Sequence, residues 1–147
     1  MAELSRAEQT AWRAYIDSSL RLETRLDEDL RATCGLSLID YHVLVLLSEA
    51  PQRRLRMREL ADRLVFSRSR VTYQVDSMSK RGLVVREPAP DDARGSRAVL
   101  TATGLEALLG AAPKHAAVVR ALFVDLLDDR DLADVTRIFG KLRDHLA

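Results

Sequence analysis

A mainly α-helical fold carrying one small β-hairpin is what this sequence predicts, on three observations. Apolar residues recur at three- and four-residue steps along most of the chain. The period changes to short β-prone runs only between Leu83 and Leu100. Between the helical stretches stand Gly, Pro and Ser/Asp signals of the kind that stop and start helices.

From Leu4 to about Thr33 there is no Gly or Pro, and Trp12, Tyr15, Ile16, Leu22, Leu26 and Leu30 share one face of a long first helix. Gly35 ends it. Ser37, with Asp40 three residues on, opens a second helix that runs through Tyr41, Leu44 and Leu47 to Pro51. A loop with Arg53 and Arg54 leads to a compact third helix over Met57 to Leu64, its buried side formed by Leu60, Ala61 and Leu64. Ser67 caps a fourth helix reaching Lys80, with Val71, Val75 and Met78 inward, and Gly82 ends it. Leu83–Glu87 and Ser96–Leu100 are the arms of a hairpin, and Pro88–Gly95, all turn formers and charges, is its long tip. A Leu/Ala-rich helix follows Thr101 to about Leu127, with Pro113 as a kink. Asp128, with Asp131 in the first turn, restarts the chain as a last helix. There Leu132, Val135, Phe139, Leu142 and Leu146 form a seam that asks for a partner helix.

Three short helices followed by a two-stranded hairpin make a winged helix-turn-helix, over residues of about 37–101. The chain of 147 residues reads as one domain, with helices of about 4–33 and 102–147 flanking that module as dimerisation helices. Leu4 and the last-helix seam are the expected dimer contacts.

Net charge is +1, but its distribution is uneven. Between Arg53 and Arg97 stand twelve Lys/Arg against six Asp/Glu, while the remainder holds eleven against sixteen. A basic middle between acidic flanks marks the segment that meets a polyanion. A helix that reads the major groove must bury one face and offer short polar donors and Arg on the other. Ser67, Arg68, Ser69, Arg70, Thr72, Tyr73, Gln74 and Ser77 fit that description, and Arg94 at the hairpin tip suits the neighbouring minor groove. With Arg54, Arg58, Asp92 and Arg97 they are the expected DNA-binding residues.

The run Leu60-Ala61-Asp62-Arg63-Leu64, then Ser67-Arg68-Ser69 with Thr72 and Val75-Asp76, then Arg81-Gly82-Leu83-Val84, then Asp92-Ala93-Arg94-Gly95 and Leu100-Thr101 with Gly104, resembles the MarR (multiple-antibiotic-resistance regulator) family. The resemblance covers almost the whole chain. It implies an obligate dimer built from the first and last two helices, the Ser67–Lys80 helix in the major groove, and Asp92 orienting Arg94 on the wing. It also implies a repressor released by a small aromatic ligand, for example a phenolic one, bound near Trp12, Tyr15, Tyr41 and His42. Arg58, Arg70 and Tyr73 depart from the common pattern; Tyr73 replaces a frequent Arg, and Arg70 is the candidate substitute for its base contact. A two-fold dimer should prefer a pseudo-palindrome with half-sites about 34–36 Å apart.

Other classes find less support. No nucleophile–base pair, metal cluster or phosphate-cradling Gly loop marks an enzyme, and no cofactor or metal is expected. His42, His115 and His145 stand on separate helices and read as structural or solvated. The single Cys34 excludes an internal disulfide; a redox-sensing regulator is an alternative, although no Lys or His adjoins it. A winged helix serving protein contact alone is the other alternative, and it would not need the basic middle. The N-terminus carries Glu3 and Glu8 in place of a signal peptide's basic start, and the longest aliphatic run is only Val43–Leu47. A cytoplasmic location is expected.

Overall fold

The computed structural model describes residues 3–147. Helix α1 (Arg6–Cys34) opens with a capping box between Ser5 and Glu8 and stops at Gly35, whose φ of 67° is the left-handed geometry that favours glycine. Helix α2 (Leu38–Glu49) is capped reciprocally by Ser37 and Asp40, as the spacing predicts. A single 3-10 turn, Pro51–Arg53, leads into strand β1 (Arg54–Arg56), helix α3 (Met57–Leu64) and helix α4 (Arg68–Lys80). Strands β2 (Val84–Ala89) and β3 (Asp92–Leu100) form the wing. Helix α5 (Ala102–Leu122), a 3-10 turn and helix α6 (Asp129–Leu146) complete the chain. Pro113 lies inside α5, which continues uninterrupted past it.

Two features differ from expectation. The segment at Arg54 is a strand rather than a loop: β1 pairs antiparallel with β3, setting Leu55 opposite Ala98, and the sheet has the order β1-β3-β2. The wing tip is also shorter than Pro88–Gly95. Pro88 pairs with Ser96 and Ala89 with Asp92 across a bulge, so only Pro90 and Asp91 turn.

One apolar core joins α2, α3, α4 and the sheet. Leu44, Leu47, Leu60, Val75, Met78, Val84 and Ala98 are fully buried there, with Leu30 from the end of α1 and Leu108 and Ala111 from α5. Beyond Leu30, α1 buries nothing fully, and α6 has no buried residue at all. Leu132 and Val135 are half-buried, while Phe139, Leu142 and Leu146 are exposed, as are Leu4, Leu109 and Leu126. The segment Ala102–Leu126 is long and apolar enough to cross a membrane by composition, yet only 11% of its apolar window is buried in the single chain.

The junction between wing and α5 is close-packed. Thr101 caps α5 through the Gly104 N–H, and its hydroxyl lies 2.6 Å from the Gly82 carbonyl oxygen. A Cβ on Gly104 would stand 2.1 Å from the Leu83 carbonyl oxygen, so only glycine fits.

Candidate nucleic-acid interface

Helix α4 begins at Ser67, whose hydroxyl accepts the Arg70 N–H at 3.2 Å. Val71, Val75 and Met78 lock one side into the core. Arg68, Ser69, Arg70 and Tyr73 are exposed on the other, Tyr73 to 78%, and Thr72 is half-buried beside them. The Arg70 guanidinium carbon lies 3.7 Å from the centroid of the Phe66 ring.

Between α3, the start of α4 and the wing lies a cleft of about 310 Å³ into which five guanidinium side chains converge, those of Arg56, Arg58, Arg68, Arg86 and Arg94. Asp92 is the one acid in the lining, so the cleft carries an excess of positive charge.

The ion pairs decide which cations are available. Arg54 contacts Glu87 at 2.7 Å and Arg97 shares the same carboxylate. Arg56 pairs with Asp91, and Arg86 with Asp76 at 3.2 Å while also donating to Ser96. These pairs tie β1 to the wing, and the wing to α4. Among the described residues no ion pair engages Arg58, Arg68, Arg70, Arg94 or Lys80, so their charge is unspent. The expected contacts Arg54 and Arg97 are half-buried and share one acid, which makes them braces of the sheet.

Gln74, expected on the outer face of α4, turns inward and donates to the Asp40 carboxylate at 2.6 Å, and the hydroxyl of Ser77, expected among the DNA contacts, accepts from Arg81 at 3.3 Å. Asp40, only 4% exposed, receives Arg81 through both terminal nitrogens at 2.7 and 2.9 Å and the Ser37 N–H at 2.9 Å. Burial alone would raise its pKa, but the Arg81 guanidinium and the Ser37 and Gln74 donors together hold it below the ordinary carboxylate range. This node joins α2 to α4 and was not anticipated. Its signal was present in an acid amid the apolar run of α2 and in Gln74, Ser77 and Arg81, which share a flank of α4 at helical spacing.

At the wing tip Asp92 acts on backbone: its carboxylate accepts the Arg94 N–H at 3.0 Å and leaves the exposed Arg94 guanidinium free. A Cβ on Gly95 would press on that carboxylate at 3.0 Å.

The aromatic group expected around a ligand divides in two. Trp12 lies 5.8 Å from Tyr15 and Tyr15 lies 5.3 Å from Phe139, on the outer helices. The Tyr41 ring lies 4.4 Å from that of His115 of α5, tilted by 47°, and His42 is exposed. Burial lowers the His115 pKa, outweighing the attraction of Asp29, and burial raises that of Tyr41. Cys34 is half-buried with its sulfur 3.3 Å from the Thr33 hydroxyl.

Comparison with known proteins agrees with this architecture. Residues 35–95 match the sequence model of the MarR family. AbsC, a MarR family transcriptional regulator of Streptomyces coelicolor, is 39% identical over 99% of this chain and 98% of its own, with a TM-score of 0.93. Sco3205, a MarR family regulator of the same organism solved in complex with DNA, is 37% identical over 100% of this chain and 92% of its own, with a TM-score of 0.96. The uncharacterised HTH-type regulator YkoM of Bacillus subtilis is 33% identical over 65% of this chain, which spans 60% of that protein. Near-complete coverage of the two Streptomyces regulators at these identities, on a winged helix with an exposed basic helix α4, places the chain in the MarR family of transcriptional regulators.

Proposed function

We propose that this chain is a homodimeric repressor that binds a pseudo-palindromic operator in double-stranded DNA and is released by a small aromatic ligand. The observation that carries DNA binding is the set Arg58, Arg68, Arg70 and Arg94, exposed on α3, α4 and the wing and in no ion pair among the described residues. A winged helix used only for protein contact has no use for four unneutralised guanidinium groups on one face. Sco3205, which aligns over the whole chain, is itself a DNA-binding protein, and that supports the same use of α4 here.

The dimer reading rests on surface chemistry. Leu4, Trp12, Leu109, Leu126, Phe139, Leu142 and Leu146 are all exposed on or beside the three helices that flank the winged module, and large apolar side chains gathered on such a surface favour a partner. A second copy covering α1, α5 and α6 buries them, accounts for an α5 apolar enough for a bilayer yet little buried, and sets two copies of α4 about one DNA turn apart. Such a dimer acts in the cytoplasm, and bound over a promoter it excludes the polymerase. The ligand acts where Tyr41 of α2 meets His115 of α5, the joint between module and outer helices, by favouring one spacing of the two reading helices over the other.

Fluorescence anisotropy with the chain's own upstream DNA and a scrambled duplex, from low to physiological salt, tests the reading. Tight, salt-sensitive preference for the upstream DNA is expected. Absence of binding to either duplex at low salt overturns it.

A further inference from the structure

Phe66 lies in the turn between α3 and α4, a position that composition alone marks as neither core nor interface. The structure holds it from two sides. Val65 adopts φ 56° at the end of α3, and its N–H reaches the Asp62 carbonyl oxygen at 3.3 Å while the Phe66 N–H reaches that of Ala61 at 2.9 Å. These two bonds close a Schellman turn, whose geometry needs the left-handed conformation at Val65 and turns the next side chain back on the helix. The Phe66 ring accordingly packs, half-buried, against the core.

Arg70 stands one helical turn further on and lays its guanidinium over that ring, 3.7 Å from the centroid. Its backbone is also fixed, through the Ser67 cap at 3.2 Å. Yet its side chain takes part in no ion pair or hydrogen bond among the described residues, so its donors are unspent while its stem and plane are held. Helices α1, α2, α3 and α6 each place an acid in the first turn, where it suits the helix dipole; α4 and α5 have none, and α4 alone of these two opens with cations, Arg68 and Arg70. That arrangement opposes the dipole and becomes favourable only against an anionic partner.

We infer that Phe66 is a specificity-determining positioning residue, an aromatic shelf that presents the Arg70 guanidinium edge-on to a guanine in the major groove. Guanine is the base whose O6 and N7 match a guanidinium fork, and a fork held in plane discriminates where a mobile one merely attracts. The inference rests on the DNA-binding reading and adds to it a residue that need not touch DNA.

The test uses the full-length chain and a duplex selected by the wild-type protein from a randomised library. Competition anisotropy over every single-base-pair variant of that duplex is measured for the wild type, Arg70→Ala, Phe66→Leu and Phe66→Tyr. Arg70→Ala should lose about tenfold discrimination or more at one G·C pair of each half-site. Phe66→Leu should lose about threefold at that same pair, in line with a cation–π contact, and leave the salt slope unchanged because no charge is removed. Phe66→Tyr, which keeps the ring, should retain the wild-type profile. An unchanged profile for Phe66→Leu overturns the shelf and leaves the Arg70 contact standing. An Arg70→Ala profile flat at no position overturns the contact itself, and the shelf with it. Should Phe66→Leu fail to fold, side-chain NMR of the free wild-type chain decides. Ring-current upfield shifts and a higher heteronuclear NOE at Arg70 Nε than at Arg68 Nε support the shelf, and equal values refute it.

Discussion

Breaking the contact between Asp40 and Arg81 tests the account of how α4 is held. Asp40 is almost wholly enclosed and accepts four hydrogen bonds, from Ser37, Gln74 and both Arg81 nitrogens. Removing one partner of a fully buried ion pair costs about 3–5 kcal/mol. The Arg81 side chain is 38% exposed and can recover water, so Asp40→Ala should cost less, about 2–3 kcal/mol. Arg81→Ala strands the enclosed carboxylate and should cost about 3 kcal/mol. The double variant should then be less damaged than the sum, by a coupling of about 1–2 kcal/mol. Urea unfolding followed by circular dichroism, at one fixed protein concentration, supplies the four free energies of the cycle. The pH dependence has a definite sign. The folded pKa of Asp40 is depressed, so its stabilisation is fully present above the unfolded value of about 3.9 and is lost as pH falls through the lower folded value. The gap between wild type and Arg81→Ala should therefore narrow in acid. A coupling below about 0.3 kcal/mol, within the range of independent sites, refutes the clamp. So does a gap that stays constant from neutral pH into acid.

Three other perturbations probe separate parts of the molecule. Gly104→Ala drives a methyl into the Leu83 carbonyl and should destabilise by about 2–3 kcal/mol, read as a fall in Tm; a neutral result would mean the wing and α5 are not in contact. Val65→Gly relieves a β-branched side chain of left-handed strain but adds unfolded-state freedom, so a net gain of about 0.5–1 kcal/mol is expected in urea unfolding, and a loss would remove the strain. Arg94→Ala should weaken binding to all duplexes alike and lower the slope of log K against log salt by about one; an unchanged slope takes the wing tip out of the interface.

The parts of the fold legible from the chain were those set by local chemistry. Ser37 with Asp40, Ser67, and Asp128 with Asp131 cap helices where their spacing says they should, and the buried stripe Val71, Val75, Met78 is where the period places it. Strand β1 was illegible because Arg54-Leu55-Arg56 becomes a strand only by pairing with residues more than 40 positions away. The wing was underestimated for a related reason: Pro88, Asp92 and Gly95 disfavour strands individually, and pairing across a bulge overrides them. Charge counts marked the basic middle of the chain but not which of its cations are free of ion pairs. Which arginines are spent on Glu87, Asp91 and Asp76 depends on side chains brought together in space. Gln74 and Ser77 turn toward Asp40 and Arg81 because a helix packed on a neighbouring helix has a flank as well as an inner and an outer face.

The fit of Gly104 against Leu83 bears on how hybrid regulators should be assembled. The end of β3 at Leu100 invites a splice at Thr101 to graft a new DNA-reading module onto an existing set of outer helices. That splice would sever the Thr101 bonds to Gly82 and Leu83 and pair the Gly104 turn with a foreign carbonyl. It would also strip Leu108 and Ala111 from the core they complete. The transplantable unit is larger than the winged helix: it carries the last turn of α1 with Leu30 and the opening turns of α5, and the natural cut in α5 lies beyond Ala111, the last residue of that helix buried in the core.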